Sequence, residues 1–187
     1  MIVETTIHSF SLWHHFAHKP DFDTIAFAEL ARSMGFQGIS LSLNNENYRH
    51  LGGREPERMD GLRAHLTTHG MSLEVDTSGT APAHISEMLK AAHRMGATSL
   101  RTYTRHGGEV REMMQNTGDD LAEVMQEATD LDVIIVLENH EDFTGPELAE
   151  IVEQVNHPNL KVLYDYGNSQ MVLEDPIAAL DAVLPHV

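Results

Sequence analysis

Two carboxylate side chains each follow a short apolar run: Glu138 comes after VIIVL, and Asp165 comes after LKVLY. They lie one strand-helix unit apart, so we expect them to end neighbouring strands. Carboxylates brought together repel unless a cation or a shared proton lies between them. Such donors suit Mn²⁺, Mg²⁺, Co²⁺ or Zn²⁺, and we predict a divalent-metal site with Glu138 and Asp165 as ligands. The alternative is that each carboxylate caps the loop or helix that follows.

His140 follows Glu138 by two residues. In an extended strand end, this spacing places both side chains on the same side. We therefore take Glu138 and His140 as the candidate catalytic pair, with His140 as an acid or base or as a partner that orients a ligand. A solvated loop histidine is the alternative reading.

Four more side chains are candidates for substrate binding because they stand at or near the ends of predicted strands. Arg101 and Tyr103 share one face of a strand, where an arginine could bind a substrate carboxylate or hydroxyls. If that face instead points toward the helices, both are structural residues. The other two candidates are His8, near the end of the first strand, and Asn168, after the sixth.

Short apolar strands alternate with amphipathic helices along the whole chain. Strands are predicted at Ile2–Phe10, Phe36–Leu43, Ser72–Asp76, Thr98–Thr104, Val133–Glu138 and Leu160–Tyr164. Helices are predicted at Phe22–Met34, Pro56–His69, Pro82–Met95, Asp119–Leu131, Pro146–Val155 and Pro176–Leu184. Strict alternation predicts an α/β fold with parallel strands. The segment HSFSLWHHFAHKP after the first strand has no glycine, which disfavours a dinucleotide-binding sheet and favours a (β/α)8 TIM barrel.

Six strand-helix units account for residues 1–187, which we interpret as a single domain. Pro185 ends the sixth helix, and His186 and Val187 are predicted to begin a seventh strand. We therefore expect a barrel truncated after six units and incomplete at its C-terminus. Open edges would favour association with another copy or with a partner chain that supplies the missing strands. Alone, the chain is expected to bind divalent metal weakly and to lack isomerase activity.

Composition excludes several classes of protein and site. The chain has no cysteine, so disulfides, thiolate zinc sites and cysteine nucleophiles are excluded. Its 29 acidic and 12 basic residues give a net charge of -17, which disfavours binding to nucleic acid and to anionic membranes. We find neither a signal peptide nor a run of the roughly 20 apolar residues that a membrane span needs. We expect a cytoplasmic protein.

Five segments carry a resemblance to a known family: ELARSMGFQGISL, LRAHLTTHGMSLEV, AAHRMGATSLRTY, VIIVLENH and LKVLYDYGNS. Together they resemble the xylose isomerase-like TIM barrel superfamily, and most of all its sugar phosphate isomerases and epimerases. The resemblance implies one divalent metal held by Glu, Asp, His and Glu from strands five to eight. Glu138 then matches the first ligand and Asp165 the second, while the other two belong to strands beyond this sequence. His140 matches a position that often contacts substrate.

Three kinds of function remain open. The first is a metal-dependent isomerase or epimerase of a sugar or polyol-like substrate, in which a proton next to a metal-polarised carbonyl is removed. A lyase or dehydratase would use the same site. A DNA-repair barrel of the AP-endonuclease kind is disfavoured by the net charge of -17. The third is a non-catalytic barrel fragment that needs further strands.

Overall fold

The computed structural model describes residues 4–45 and 47–187. Within these residues, six parallel strands form one sheet in the order of the sequence, β1-β2-β3-β4-β5-β6. The strands are β1 (Thr6–His8), β2 (Gly38–Ser42), β3 (Ser72–Asp76), β4 (Ser99–Thr102), β5 (Ile134–Glu138) and β6 (Leu160–Leu163). Parallel neighbours end at the same edge of a sheet, so the residues that follow adjacent strands are brought near one another.

In the described ranges, seven α-helices connect or follow the strands. They are α1 (Trp13–His18), α2 (Thr24–Ser33), α3 (Pro56–His69), α4 (Pro82–Met95), α5 (Val110–Asp130), α6 (Gly145–Val155) and α7 (Pro176–Val183). The predicted alternation of strand and helix is confirmed, with α3, β3 and α4 at the predicted bounds. None of the helices in the described ranges is both long and apolar enough to cross a membrane.

Helix ends follow from local chemistry. The Asp23 carboxylate accepts a hydrogen bond from the Ala26 N–H at 2.9 Å, and Asp175 caps α7 in the same way. The backbone N–H of Thr144 donates to the Glu147 carboxylate at 2.8 Å, which fixes the start of α6. At the end of α3, Gly70 has a φ of 62°, a conformation that glycine adopts at little cost.

Most other elements differ from the predicted bounds by a few residues, and some differences are larger. Helix α5 begins at Val110 rather than Asp119, and the short helix α1 was not predicted. His186 lies in a 3-10 helix, Leu184–His186, so the prediction that a strand begins there is wrong. Part of the predicted first strand, residues 1–3, lies outside the described residues.

Contacts divide the chain into two compact units. The first consists of Met1–Thr77 and Lys90–Leu100, and the second of Ser78–Leu89 and Arg101–Val187. The core of the first unit contains fully buried apolar side chains from β2, β3 and the helices that cover them, among them Phe27, Leu41, Leu62 and Val75. The core of the second contains Leu121, Leu137, Leu148 and Val162. Most of this burial is apolar, so it supplies the main driving force for folding.

Candidate active site at the strand ends

The carboxyl ends of β5 and β6 are joined by the side chain of Asn139. Its Nδ2 donates to the carbonyl oxygen of Asp165 at 2.9 Å, and the Asp165 backbone N–H donates to its Oδ1 at 2.7 Å. Asn139 is only 2% exposed. Glu138 is the last residue of β5 and lies opposite Leu163, the last residue of β6. The amide of Asn139 therefore fixes the segment that carries Asp165 against the strand that carries Glu138.

Glu138 is a buried carboxylate, 3% exposed, and its counter-charge comes from β4. Nη1 of Arg101 donates to both of its oxygens, at 2.8 Å to Oε1 and 2.9 Å to Oε2. A buried carboxylate needs such a partner, because burial removes the water that stabilises its charge. In this arrangement Arg101 supplies the positive charge that faces Glu138.

The pKa of Glu138 is raised above its ordinary value, chiefly because burial penalises the charged form. The positive charges of Arg101 and His140 oppose this rise, and the negative charge of Asp165 adds to it. Glu138 therefore experiences the second carboxylate as a repulsive neighbour. A cation shared between the two would relieve that repulsion.

His140 lies between Glu138 and the aromatic ring of Tyr103. Its Nδ1 is 3.8 Å from Oε2 of Glu138, and this buried atom makes no hydrogen bond to any residue in the described ranges. Its ring packs on Tyr103, with the ring centroids 4.0 Å apart. The Tyr103 hydroxyl accepts a hydrogen bond from Nη2 of Arg105 at 2.8 Å. Arg101, Tyr103, Glu138 and His140 thus form one continuous cluster.

Asp165 and Asn168 belong to the loop after β6. Oδ1 of Asp165 accepts a hydrogen bond from the Gly167 N–H at 2.7 Å, and the Asn168 N–H donates to the Asp165 carbonyl at 3.2 Å. One carboxylate oxygen of Asp165 therefore also stabilises its own loop, which is the alternative role that the sequence left open. Asn168 lies within one turn of Asp165 and is half-buried.

His8 belongs to the other unit and sits at the end of β1. Its Nδ1 accepts a hydrogen bond from the Phe10 N–H at 3.2 Å, so in the neutral ring the proton is on Nε2. Nε2 lies 2.6 Å from Oδ1 of Asp76, a fully buried carboxylate at the end of β3. Nδ2 of Asn44 approaches the other oxygen of Asp76 at 3.4 Å. Both ring nitrogens of His8 therefore have partners within the protein.

A second histidine, His50, contacts Ser9, the residue that follows β1. Its Nδ1 is 2.8 Å from the hydroxyl oxygen of Ser9, and its ring stacks on Phe16 with centroids 4.3 Å apart. Burial, with the positive charges of Arg49 and His8, lowers the pKa of His50 to about 4. His50 is therefore neutral at physiological pH.

No role was predicted from the sequence for Asn139 or Asp76, although the side chains of both form hydrogen bonds between strand ends. The only signal in the sequence was position, because each is a polar residue that ends or directly follows an apolar strand. The structure shows that both are buried. Pairing between Arg101 and Glu138 was not expected either, because each was assigned separately from its own strand. Both residues lie where neighbouring strands end.

The chain is similar to several known proteins and solved structures. The uncharacterized protein YihM of Escherichia coli (strain K12) is 25% identical over 159 residues, which are 85% of this chain and 49% of YihM. The chain thus spans about half the length of that curated relative. D-psicose 3-epimerase from Clostridium cellulolyticum H10 superposes with a TM-score of 0.80 at 14% identity, over 99% of this chain and 71% of that one.

Two further solved structures are similar. 3-keto-D-glucoside 4-epimerase, YcjR, from Escherichia coli gives a TM-score of 0.71 at 11% identity, covering 91% of this chain and 74% of that one. The IolI protein, solved with a zinc atom, gives a TM-score of 0.72 at 15% identity, covering 95% of this chain and 68% of that one. At these identities the likeness establishes the fold. The model of the family described as "Xylose isomerase-like TIM barrel" matches residues 28–187. This chain, whose described residues form six parallel strands in sequence order, belongs to that family.

Proposed function

We propose that this chain carries part of the active site of a divalent-metal-dependent isomerase or epimerase of a sugar or polyol-like substrate. One observation carries the proposal: Glu138 and Asp165, at the ends of adjacent parallel strands, are tied together through Asn139. A capping role alone would not require the ends of two strands to be held together by a buried amide.

The donor set suits a divalent cation. Glu138 and Asp165 offer carboxylate oxygens, and the raised pKa of Glu138 reflects in part the repulsion that a cation would relieve. Oxygen-rich sites of this kind favour Mn²⁺, Mg²⁺, Co²⁺ or Zn²⁺. When bound, the metal would polarise the sugar carbonyl and make the neighbouring C–H more acidic. The Arg101 guanidinium would then be released from at least one Glu138 oxygen.

His140 is proposed to move the proton. Its buried Nδ1 makes no hydrogen bond within the described part of the chain, so it can take a proton from the carbon next to the carbonyl. Delivery of a proton to the opposite face of the same carbon, by an acid on that face, gives epimerisation. Delivery to the carbonyl carbon, together with transfer of the neighbouring hydroxyl proton to the carbonyl oxygen, gives isomerisation. Glu138, 3.8 Å away, stabilises the charged imidazole.

Arg101 and Tyr103 are proposed to bind substrate beside this pair. Arg101, once released from Glu138, can donate hydrogen bonds to substrate hydroxyls, and the Tyr103 ring supports the His140 ring at 4.0 Å. Asn168 would contribute from the loop of Asp165. For His8 the role in substrate binding stays a prediction, since its imidazole is bonded to Asp76 and to the Phe10 N–H.

The test is proton exchange in D₂O. The full-length protein that carries this chain is incubated with Mn²⁺ and a panel of ketohexoses, and deuterium incorporation next to the carbonyl is followed by NMR. We expect exchange without loss of water, abolished by Asp165→Asn and by His140→Gln. Exchange that survives both substitutions would overturn the site, and loss of water from the substrate would identify a dehydratase instead.

The link through Asn139 gives a matched pair of variants. Asn139→Ala should lower Mn²⁺ affinity by about tenfold or more, as loss of a group that orients a metal ligand does. Asn159 is the control, because its Nδ2 donates to the Val133 carbonyl at 3.3 Å beside the amino ends of the same two strands. Asn159→Ala should leave Mn²⁺ affinity unchanged in calorimetry. Equal losses from both variants would mean that Asn139 acts only on folding.

A further inference from the structure

A second group of ligand-type side chains lies on the helices of the first unit. Glu29 is on α2, and His65 and His69 are on α3. Histidines four residues apart on a helix lie one above the other on the same face. One nitrogen of each histidine and one oxygen of Glu29 all lie within 4.8 Å of one another. Two neighbouring helices thus present three metal-ligand atoms to a common point.

The spacing of these atoms fits a small tetrahedral ion. Oε1 of Glu29 is 3.0 Å from Nε2 of His65 and 3.3 Å from Nε2 of His69. In a tetrahedral zinc site, bonds of about 2.0–2.1 Å place ligand atoms roughly 3.3 Å apart. The two carboxylate–imidazole distances are therefore close to the edges of such a coordination sphere, and the two imidazole nitrogens lie within 4.8 Å of each other.

The Nε2 atom of His65 provides a second observation. Its Nε2 is buried but forms no hydrogen bond within the described ranges, although Oε1 of Glu29 is only 3.0 Å away. The short distance between the two groups is therefore not accompanied by a hydrogen bond. A ring nitrogen that is close to a carboxylate oxygen without a hydrogen bond to it can share an ion with it.

Arg32 leaves Oε1 of Glu29 available. Its Nη2 donates to the other oxygen, Oε2, at 2.7 Å, and its Nε donates to the same oxygen at 3.2 Å. This pairing holds the pKa of Glu29 below its ordinary value, so the group is a carboxylate at neutral pH. Partners that fix the orientation of a ligand are a regular feature of metal sites.

We propose that Glu29, His65 and His69 form a binding site for a zinc-class divalent ion that links α2 to α3. Two imidazoles and one carboxylate suit Zn²⁺, Ni²⁺ or Cu²⁺, whereas Mg²⁺ and Ca²⁺ prefer oxygen donors alone. Water completes the coordination at the exposed side, where His69 is 32% exposed. The site uses none of the residues assigned to proton transfer, so its test is independent of the proposed enzymatic function.

The experiment is calorimetric titration of the 187-residue chain with Zn²⁺, and with Mg²⁺ as the comparison ion. We expect zinc affinity at this site to fall by roughly tenfold or more in His65→Gln and in His69→Gln. Asp165→Asn serves as the background, so that zinc held by the strand-end carboxylates is reduced in every sample. Bound Co²⁺ should give the visible spectrum of a tetrahedral site, and that spectrum should be lost in His69→Gln.

His14 and His18 provide the matched control. They are also four residues apart on one helix, α1, with ring centroids 5.8 Å apart, and both residues are exposed. The double variant His14→Gln/His18→Gln should keep the zinc affinity of the parent protein. Equal loss in the control pair, or no loss in His65→Gln and His69→Gln, would overturn the proposal. Because His69 is exposed, unfolding of His69→Gln is not expected, and circular dichroism checks this.

Discussion

The Arg101–Glu138 pair places a buried carboxylate and its counter-charge on neighbouring strands. Glu138 is 3% exposed, and both of its oxygens accept hydrogen bonds from one nitrogen of Arg101. Removing one partner of a buried pair leaves the other charge without compensation, which costs more than the pair contributes. A variant at Arg101 will therefore change stability as well as any binding of substrate.

Arg101→Ala should lower the free energy of unfolding by about 1–3 kcal/mol, the cost of leaving a buried charged group without its partner. The loss should shrink as the pH falls, because protonated Glu138 needs no counter-charge. Arg105→Ala is the control, since Arg105 packs on the same Tyr103 ring at 4.7 Å and should cost less than about 1 kcal/mol. Urea denaturation measures both, and equal losses would contradict the assignment.

His50 predicts a pH dependence of stability. The unfolded chain binds a proton at this residue below about pH 6.5, whereas the folded chain does so only near pH 4, because burial lowers the pKa. More protons are bound in the unfolded state between these values, so acidification through this window lowers the free energy of unfolding.

His50→Gln should flatten the fall in stability between pH 6.5 and pH 4. The variant will be less stable overall, because the stacking on Phe16 is lost, so the slope with pH is the decisive quantity. The exposed His18, replaced in the same way, should leave the slope as it is in the parent protein. An unchanged slope in His50→Gln would show that other groups cause the pH dependence.

At the scale of elements, the sequence predicted helices best where their ends are chemically marked. Helix α3 begins at Pro56 and ends before Gly70, and both bounds were predicted because proline and glycine are strong signals there. Helix α5 contains Gly118, which is fully inside the helix. A Cβ there would lie 4.0 Å from side chains of α6, an ordinary van der Waals contact. A helical glycine costs about 1 kcal/mol, but the helix continues through it, so the predicted start at Asp119 came too late.

The candidate site was predictable in its positions and unpredictable in its partners. Strand ends follow from the apolar runs, so Glu138, His140 and Asp165 could be placed at one edge of the sheet from sequence. Side-chain direction across neighbouring strands depends on register and twist, which the sequence does not specify. The roles of Asn139 and of the Arg101 nitrogen therefore became visible only in the structure.

Two glycines with opposite surroundings test the packing of helices. At Gly145, the first residue of α6, a Cβ would lie 2.6 Å from the Ala179 carbonyl oxygen of α7. Gly145→Ala should therefore destabilise the protein by about 1–3 kcal/mol through overpacking. At Gly61 in α3 a Cβ would meet nothing within 4 Å, and Gly61→Ala should stabilise by about 0.5–1 kcal/mol. Thermal denaturation measures the change in stability of both variants. A change of the same sign in both would refute this explanation.

At the scale of the whole molecule, an exposed apolar surface and a large net charge act against each other. Strand β6 is last in the sheet order, so one of its edges has no partner strand within the described residues. Large apolar side chains after it are exposed: Leu173 at 94%, Ile177 at 62% and Leu184 at 60%. Such surfaces favour association, whereas a net charge of -17 opposes it.

We therefore expect the 187-residue chain to associate with copies of itself, and to do so more strongly as salt is added, because salt screens the repulsion. Size-exclusion chromatography with light scattering measures the mass at low and high salt. Ile177→Lys/Leu184→Lys should reduce association even though it lowers the net negative charge, and Val110→Lys should not reduce it. A monomer at every salt concentration would contradict the prediction.

The Asn139 bridge also has a consequence for motion. A loop residue normally exchanges its amide hydrogen with solvent quickly, but the Asp165 N–H is held by the buried Oδ1 of Asn139 at 2.7 Å. Its hydrogen-deuterium exchange should be as slow as that of the β5 amides, and Asn139→Ala should accelerate it while the Asn159→Ala control does not. The loop that carries Asp165 would then open only when the two strands separate, so the backbone of Asp165 keeps a fixed position beside the end of β5.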